Sequence, residues 1–509
     1  MKKINRKQSR KNIKKRKAKV AARHGKAGSW EKQSRPMFGS GKIHFEVGSN
    51  MDAMSFGGIA PVHRLLTKLG LPSAIDSKLD LLKVHLPYHE SDHVLNMSYN
   101  VLCGGTRLED IERLRHDVAY MNALGADLIP DPTTAGDFNR RFSVADVESL
   151  MEAINSVRPK LWQGRGSELL GPIAYMDVDG TIAPTYGERK AGMDISYKGI
   201  WGYSPLIVSL ANTKEVLFLV NRPGNAPSHQ DAAGWIDKGI SQLEPYAERI
   251  CVRGDTDFSL TANFDRWAEK VDFIFGMDST SPLRTRAEAL AETCWQRLER
   301  KPTYETLTGE SRTRYQRNEK ERIVKEREYL NLHLNYEDVA EFEYKPGKCV
   351  QPYRVVALRK NISRMKGENV LFDEIRYFFY ITTRRDLTAS EVVYCANERC
   401  NQENVIEQLK NGVNAMRLPL YDLVSNWAYM VIAALAWNIK SWFAMMMHLK
   451  HDRDTYIRME FRRFINSIIL IPCQVMRRAR SIVVRIIGYQ PTLDRLLSAW
   501  NTIERTAFG

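Results

Sequence analysis

Cysteine is scarce in this chain of 509 residues. The seven cysteines are scattered, and no two of them form a Cys-x-x-Cys pair, so neither a zinc ribbon nor a secreted disulfide scaffold is expected. Their low density and odd number favour a reducing cytosol. Internal repeats with periods of about 20 to 50 residues are also missing, which argues against a repeat architecture.

Acidic residues are nearly absent from the first 36 positions. Residues 1–36 hold fifteen Lys and Arg and one acidic residue, Glu31, so this arm carries +14 of the net charge of +15. The arm is predicted to be disordered when free because it cannot bury a core. Nucleic acid is its favoured partner. The alternatives are that the arm binds ribosomal RNA or an acidic membrane surface, or that it serves only as a solubility tail. Its apolar residues are too sparse for a signal-peptide core, so secretion is not expected.

Long apolar runs are limited to one stretch, residues 426–447 (NWAYMVIAALAWNIKSWFAMMM). Asn438 and Lys440 interrupt it, so a buried core helix is favoured over a membrane span. The whole chain, with 43% hydrophobic and 27% charged residues, has the composition of a globular protein. Its length predicts about two to four domains.

The periodicity of apolar residues divides the chain into helical and strand-rich parts. Helical spacing dominates residues 59–165, which favours either a DNA-binding module or a scaffold packed on the next domain. Strands are predicted beyond that point, with a helix at 229–243 and another at 284–301. The predicted strands are 172–183, 204–211, 215–221, 249–255, 271–278, 339–344, 353–360 and 372–382.

Acidic residues stand where two of these strands end. Asp177 and Asp179 close the first strand, and Asp255 and Asp257 close the fourth. Any one of them is more often a turn or cap residue. Carboxylates at the ends of adjacent strands can converge, however, and hard oxygen ligands suit Mg²⁺ or Mn²⁺.

A third carboxylate is available on a helix predicted at 397–412, which Gly412 can end. Arg399, Glu403 and Lys410 are spaced so that they share one helical face. Alone, this pattern is equally typical of a solvated helix with a ladder of charges.

Taken together, these pieces resemble DDE-type insertion-sequence transposases with an RNase H-like core. The resemblance rests on DVDGT at 177–181, VRGDTDF at 252–258, and the Arg-x3-Glu-x6-Lys spacing, which is similar to a Tyr-Arg-Glu-Lys signature. The Tyr position of that signature holds Ala396, and Tyr394 lies two residues upstream. The stretch 197–225 also resembles the group of such elements numbered thirteen-eighty.

The resemblance implies an α/β fold: an RNase H-like mixed sheet with helices, interrupted by a mostly β insertion and flanked by helical N- and C-terminal regions. It implies catalytic and metal-binding roles for Asp179, Asp255 and Glu403, with Asp177 and Asp257 as less favoured alternatives. Two Mg²⁺ or Mn²⁺ ions are the implied cofactors. Arg399, Lys410 and Arg253 are the expected DNA contacts.

The domains expected from the pattern and the resemblance cover the whole chain. They are the disordered basic arm at 1–36, a helical DNA-binding domain at 37–165, the catalytic core at 166–278 and 388–450, a β-rich insertion at 279–387, and a C-terminal helical region at 451–509.

The resemblance also implies what the protein does. It would cleave the ends of an insertion sequence and transfer the resulting 3′-hydroxyl ends into target DNA. The partners would be double-stranded terminal repeats and target DNA, with a homodimer in the DNA-bound complex and no membrane. The expected location is the bacterial cytoplasm, at the nucleoid. A nuclease or resolvase without joining activity, and a non-catalytic DNA-binding protein, are the alternatives.

Overall fold

The computed structural model divides the chain into two compact units. One unit comprises residues 1–161, 411–415 and 431–509, and the other comprises residues 162–410 and 416–430. The structure describes residues 6–25, 43–46, 48, 51–85, 87–163, 165–187, 190–299, 327–328, 330–367, 369–478, 481–487 and 489–508.

Along the described chain, a mostly helical part precedes a part rich in strands. The α-helices are α1 (Arg6–Gly25), α2 (Ile59–Leu69), α3 (Leu71–Lys78), α4 (Glu90–Leu102), α5 (Ile111–Arg115), α6 (Val118–Leu124), α7 (Pro132–Asn139), α8 (Val144–Val157), α9 (Pro159–Trp162), α10 (Gly166–Leu170), α11 (Ala232–Leu243), α12 (Phe264–Ala268), α13 (Ser281–Glu288), α14 (Ala389–Asn397), α15 (Cys400–Glu407), α16 (Leu423–Met445), α17 (Lys450–Arg458), α18 (Phe461–Phe464) and α19 (Leu493–Arg505). The strands are β1 (Ala53–Met54), β2 (Ala174–Gly180), β3 (Ala183–Pro184), β4 (Asp194–Ile195), β5 (Trp201–Tyr203), β6 (Leu206–Leu210), β7 (Glu215–Val220), β8 (Ile250–Gly254), β9 (Asp272–Met277), β10 (Gln296–Arg297), β11 (Leu330–Tyr344), β12 (Tyr353–Lys366), β13 (Asn369–Thr382), β14 (Cys473–Arg478) and β15 (Ser481–Ile486).

A nine-stranded sheet organises the second unit, in the order β10-β11-β12-β13-β9-β8-β2-β6-β7. Strands β2, β8 and β9 are parallel to one another, whereas β6 and β7 follow β2 as antiparallel neighbours. This is the mixed sheet that the resemblance to RNase H-like enzymes implies, and the expected α/β fold class is confirmed. Because the carboxyl ends of parallel strands meet at one edge, β2, β8 and β9 all end on the same side of the sheet.

The central strands are buried, as their apolar sequences require. Every residue of β6 and β7 is buried. Helix α11 packs on this sheet, where a Cβ on Gly239 would lie only 2.4 Å from the sulfur of Met176. A side chain at this position would have to displace the thioether of Met176, so glycine allows the close approach of helix and strand.

The β-rich insertion continues the core sheet. Its three long strands, β11, β12 and β13, pair antiparallel in sequence order, and β13 pairs with β9 through Phe379–Thr382. The strand predictions for 339–344, 353–360 and 372–382 agree with these elements. The helix predicted at 284–301 is wrong beyond α13, since a 3-10 turn and the short β10 follow it; residues 300–326 lie outside the described part.

The first unit is mostly helical, but its C-terminal part is not all helix. Strands β14 and β15 form an antiparallel hairpin, and β14 also pairs with β1. The helical region expected at 451–509 therefore contains a small sheet. The residues of β14 alternate between buried and more exposed positions, which is the two-residue period of a strand with one covered face.

The basic arm also departs from the expectation. Residues 6–25, which were predicted to be disordered, form the helix α1. Lys, Arg, Ala and Gln are good helix formers, and no proline or glycine precedes Gly25 in this helix. Arg16 donates a hydrogen bond of 3.0 Å to the carbonyl oxygen of Ile486, at the end of β15. Residues 1–5 and 26–36 of the arm lie outside the described residues.

The long apolar run forms the helix α16, and the prediction of a core helix is confirmed. All residues from 425 to 447 are buried, including Asn438 and Lys440. The ammonium of Lys440 lies 4.0 Å from the ring centre of Trp437 and donates a hydrogen bond to the carbonyl oxygen of Ile457. Within the described residues, no helix combines the length and the apolar character that a membrane crossing needs.

A buried histidine in the first unit makes stability depend on pH. The ring of His93 in α4 stacks on Phe138, with centroids 4.4 Å apart, and its Nδ1 has no hydrogen-bond partner. Burial, reinforced by the charge of Arg141, lowers the pKa of His93 from 6.5 to about 4. Between these two values the unfolded chain therefore binds more protons than the folded chain.

We expect His93 to leave the free energy of unfolding undiminished above pH 6.5 and to lower it as the pH falls towards 4, because the unfolded chain then binds a proton more readily than the folded chain. The loss amounts to about 3 kcal/mol in the free energy of unfolding. Urea denaturation of the wild type and His93→Phe at pH 7 and pH 4 measures it. The variant should lose less stability on acidification than the wild type; equal losses would contradict the assignment.

Candidate active site

The register of two parallel strands brings two of the predicted carboxylates together. Asp177 of β2 pairs with Arg253 of β8, so Asp179 and Asp255, each two residues further on, stand at matching positions where the strands end. The Asp255 charge acts on Asp179, which agrees with this placement. Asp255 also caps the 3-10 turn that follows β8, where its Oδ1 accepts a hydrogen bond of 3.0 Å from the Asp257 backbone N–H.

Burial dominates the electrostatics of both carboxylates. It raises the pKa of Asp179 to about 6, with Asp255 adding to the rise and Arg399 opposing it. The pKa of Asp255 is also raised by burial, and Asp257 and Asp278 add to the effect while Arg399 again opposes it. The site therefore gathers negative charge that is costly to hold without a nearby cation.

Arg399 supplies part of that positive charge. Its Nη1 lies 2.8 Å from Oδ2 of Asp179, and both side chains are less than one-fifth exposed. Arg399 immediately precedes α15, so the end of this helix faces the acidic edge of the sheet.

Helix α15 is anchored to the sheet by a residue that the sequence did not reveal as important. The buried Gln402 donates hydrogen bonds from its Nε2 to the backbone carbonyls of Asp177, at 3.0 Å, and Ile207, at 3.2 Å. These bonds tie the helix to β2 and β6 at the position where β2 approaches its end. A glutamine inside a polar helix carries no pattern by which this role could have been found.

Glu403 follows Gln402 and lies one helical turn beyond Arg399. Its side chain is exposed to solvent. It lies on α15, which begins directly after Arg399, the partner of Asp179. Lys410 lies in the π-helical turn Gln408–Gly412 that continues α15. It is half-buried, and burial lowers the pKa of its amine, whereas Glu407 and Asp179 act in the opposite direction.

Asp177 and Arg253 have a different environment from the other candidates. Arg253 donates to both carboxylate oxygens of Asp177, at 2.7 and 3.0 Å, and the two side chains are 3% and 1% exposed. Arg253 also donates to the Cys395 carbonyl oxygen at 2.9 Å and lies 4.6 Å from the ring centre of Tyr175. This closed, bidentate pair is part of the packing between β2, β8 and α14.

The structure also places Asp257, Tyr394 and Asp278. Asp257 is exposed beside Asp255. Tyr394 is on α14, where its hydroxyl donates a hydrogen bond to the Glu299 carbonyl oxygen. Asp278 directly follows the third parallel strand, β9, and raises the pKa of Asp255. It was not selected as a candidate from the sequence, although it ends the predicted strand 271–278 as Asp255 ends the predicted strand 249–255.

The donor set of this edge is built of hard oxygen atoms. Asp179 and Asp255 offer carboxylates, and Asp257 and Asp278 add negative charge around Asp255. Within the described residues, Glu403 does not join Asp179 and Asp255 in a group whose ligand atoms lie within 4.8 Å of one another. Such ligands fit Mg²⁺ or Mn²⁺ and do not favour soft metals. The residues therefore suit a divalent ion that assists phosphate chemistry.

Comparison with known proteins identifies a family over most of the chain. A family model described as "Transposase DDE domain group 1" matches residues 46–508. No curated protein matches the chain. Among solved structures, the chain is similar to piggyBac transposase in a cryo-EM synaptic complex with hairpin DNA, at 10% identity and a TM-score of 0.35, over 82% of this chain and 83% of that chain.

Proposed function

The chain belongs to the family of transposases with a DDE domain of group 1, and from this premise we propose that it cleaves the ends of an insertion sequence and joins them to target DNA. The observation that carries the proposal is the adjacency of Asp179 and Asp255 at the ends of β2 and β8, with Arg399 paired to Asp179. In this proposal Asp179, Asp255 and Glu403 are the catalytic carboxylates, and they would hold two Mg²⁺ or Mn²⁺ ions.

The choice of Asp179 over Asp177 is supported by their surroundings. Asp177 is closed off by its bidentate pair with Arg253, whereas Asp179 retains some exposure at the strand end. A carboxylate whose two oxygens already accept from one guanidinium has little left to offer another ligand. The same argument makes Arg253 a structural residue in this proposal and no longer a DNA contact.

Bound divalent ions would lower the pKa of a coordinated water and neutralise charge on the scissile phosphate. The residues of the chain supply the remaining functions. Arg399 and Lys410 bind DNA phosphates next to the carboxylates. Hydrolysis at each transposon end frees a 3′-hydroxyl, and this hydroxyl attacks the target phosphodiester in a transesterification that releases a target 3′-oxygen.

The partners follow from the same proposal. Terminal repeats and target DNA are the substrates, and a homodimer brings two ends together in the DNA-bound complex. The protein acts on DNA at the bacterial nucleoid. These statements rest on the family and on the basic arm, and each is open to direct test.

The testing experiment uses purified protein, Mg²⁺ or Mn²⁺, and a plasmid that carries the DNA flanking this gene on both sides. Excised linear product and joined product, both dependent on metal, are expected. Cleavage without joining would favour a nuclease or resolvase. Tight binding without cleavage in either metal would leave a non-catalytic DNA-binding protein.

Deletion of residues 1–36 is expected to weaken DNA binding and its dependence on salt. If about half of the fifteen cations displace counterions on duplex DNA, the slope of log K against log [salt] should become less negative by roughly 6 to 7. Filter binding or fluorescence anisotropy over a range of salt concentrations measures the slope. An unchanged slope would show that the arm does not bind DNA.

A further inference from the structure

A second group of metal-ligating side chains lies in the helical unit, remote in sequence from the acidic edge. His85, His89 and Glu90 each bring one ligand atom into a space where these atoms lie within 4.8 Å of one another. We propose that these three residues form a zinc site that fastens the segment before α4 to the first turn of that helix.

The carboxylate of Glu90 is held in place by the backbone. Its side chain is 1% exposed, and Oε1 accepts hydrogen bonds of 3.0 Å from the N–H groups of both Leu81 and Leu82. This leaves Oε2 facing the imidazole of His85, whose Nε2 is 3.1 Å away. A ligand whose second oxygen is fixed by hydrogen bonds is already oriented for metal binding.

The two histidines complete the ligand set. Their rings are stacked, at 18°, with centroids 4.7 Å apart. Because the lone pair of an imidazole nitrogen lies in the plane of its ring, at least one of the two rings must rotate for both to bind the same ion. Two ligands of a tetrahedral zinc ion, each about 2.0 to 2.2 Å from the metal, are separated by about 3.3 Å. The His85–Glu90 distance of 3.1 Å already agrees with this value, and the ligand atom of His89 lies within 4.8 Å of the other two.

The chemistry of the set points to zinc instead of magnesium or calcium. Two imidazole nitrogens and one carboxylate oxygen are typical zinc ligands, whereas Mg²⁺ and Ca²⁺ prefer oxygen alone. Glu90 and Asp92 in the first turn of α4 supply negative charge that offsets the positive end of the helix dipole. Three protein ligands leave one position for water.

The site would act on the segment that leads into α4. The described residues 79–85 and 87–89 contain no helix or strand, and their ties to α4 include the Glu90 hydrogen bonds with Leu81 and Leu82. A metal ion bridging His85, His89 and Glu90 adds a crosslink at the end of this segment. Zinc binding should therefore stabilise the folded protein, because it favours the folded chain over the unfolded one.

The test titrates the full-length protein with Zn²⁺ in competition with a chromophoric chelator, with Mg²⁺ in excess. His85→Gln and His89→Gln remove one ligand each at exposed positions. His116→Gln is the matched control, since the exposed His116 Nε2 lies 2.8 Å from Glu112 Oε1 but belongs to no group of three ligand atoms among the residues that the structure describes. Co²⁺ absorption in the visible range reports the coordination of the bound ion.

We expect each of the first two variants to bind Zn²⁺ at least tenfold more weakly than the wild type, with His116→Gln unchanged. Zn²⁺ should also raise the melting temperature of the wild type and of His116→Gln, but not of His85→Gln. The proposal is overturned if the His85 and His89 variants retain wild-type affinity, or if His116→Gln loses as much affinity as they do.

Discussion

Asp255→Asn is expected to reduce strand cleavage by roughly 10³-fold or more while DNA binding is retained, a loss of about 4 kcal/mol in transition-state stabilisation. The amide keeps the shape of the carboxylate and can still accept the Asp257 backbone N–H, so the local turn should persist. It removes a negative charge from the edge where Asp179 and Asp255 meet. Glu403→Gln should reduce cleavage by a similar factor, because it removes the negative charge of the third proposed catalytic carboxylate.

Each of these variants has a matched control in the chain. Asp257→Asn changes the exposed neighbour of Asp255, and Glu407→Gln changes an exposed glutamate one turn beyond Glu403. Both controls should retain cleavage within a few-fold of the wild type. The measurement is the yield of excised and joined plasmid product together with the DNA affinity of every variant. Full cleavage by Asp255→Asn or Glu403→Gln would show that the site assignment is wrong.

Arg253→Met is expected to destabilise the second unit by about 3 to 5 kcal/mol, because it leaves the Asp177 carboxylate buried without its partner. The pair is almost completely excluded from solvent. Asp177→Asn should also destabilise the protein, since the buried guanidinium of Arg253 then keeps only the exposed carboxylate of Glu398, 3.6 Å away, as a counter-charge among the described residues. Burial raises the pKa of Asp177, and Arg253 opposes this rise. The pair with Arg253 therefore favours the ionised form of the Asp177 carboxylate.

The control for this prediction is Arg376→Met, which removes an exposed arginine paired with Glu374 at 2.9 Å. Exposed pairs of this type contribute about 1 kcal/mol or less. Urea denaturation followed by circular dichroism and tryptophan fluorescence gives the free energies of unfolding. If Arg253→Met kept wild-type stability and lost DNA affinity, Arg253 would be a DNA contact as the sequence first indicated.

The two aspartates of β2 should respond differently to substitution by asparagine. Asp179→Asn should leave the fold intact and abolish cleavage, whereas Asp177→Asn should lower stability first. From the sequence alone both stand at the end of one strand, two residues apart, and therefore point to the same face. The resemblance to DDE transposases favours Asp179, and the parallel pairing of β2 with β8, which sets Asp177 opposite Arg253, supplies the physical difference between the two.

Much of the fold could be predicted from local patterns. Strands such as 215–221 and 249–255 are short apolar runs between turn residues, and the apolar run at 426–447 has the length of a core helix. These properties depend on which side chains avoid water, and a few neighbouring residues suffice to reveal them. Asp179 and Asp255 could be identified as candidates in the same way, because they lie near the ends of predicted strands; their choice over Asp177 and Asp257 came from the resemblance.

The elements that were misjudged are those in which local sequence allows two structures. The arm at residues 6–25 has the charge of a disordered segment and also the helix propensity of α1. The segment 473–486 alternates cations and aliphatic residues, a pattern compatible with an amphipathic helix end or with the β14–β15 hairpin. Pairing of β14 with β1, more than 400 residues away, is what favours the hairpin.

The sequence by itself determined the apolar core helix, the acidic strand ends and the helical position of Glu403. Arg399, predicted in the same helix, immediately precedes α15, and Lys410 lies in the π-helical turn that continues it. Tertiary structure alone decided which partners these residues meet. The pairing of Asp177 with Arg253, the anchoring of α15 by Gln402 and the approach of Asp278 to Asp255 all join distant segments. Burial follows from the free energy of transferring each side chain out of water, whereas pairing depends on strand register and helix docking, which arise only when the whole sheet is assembled.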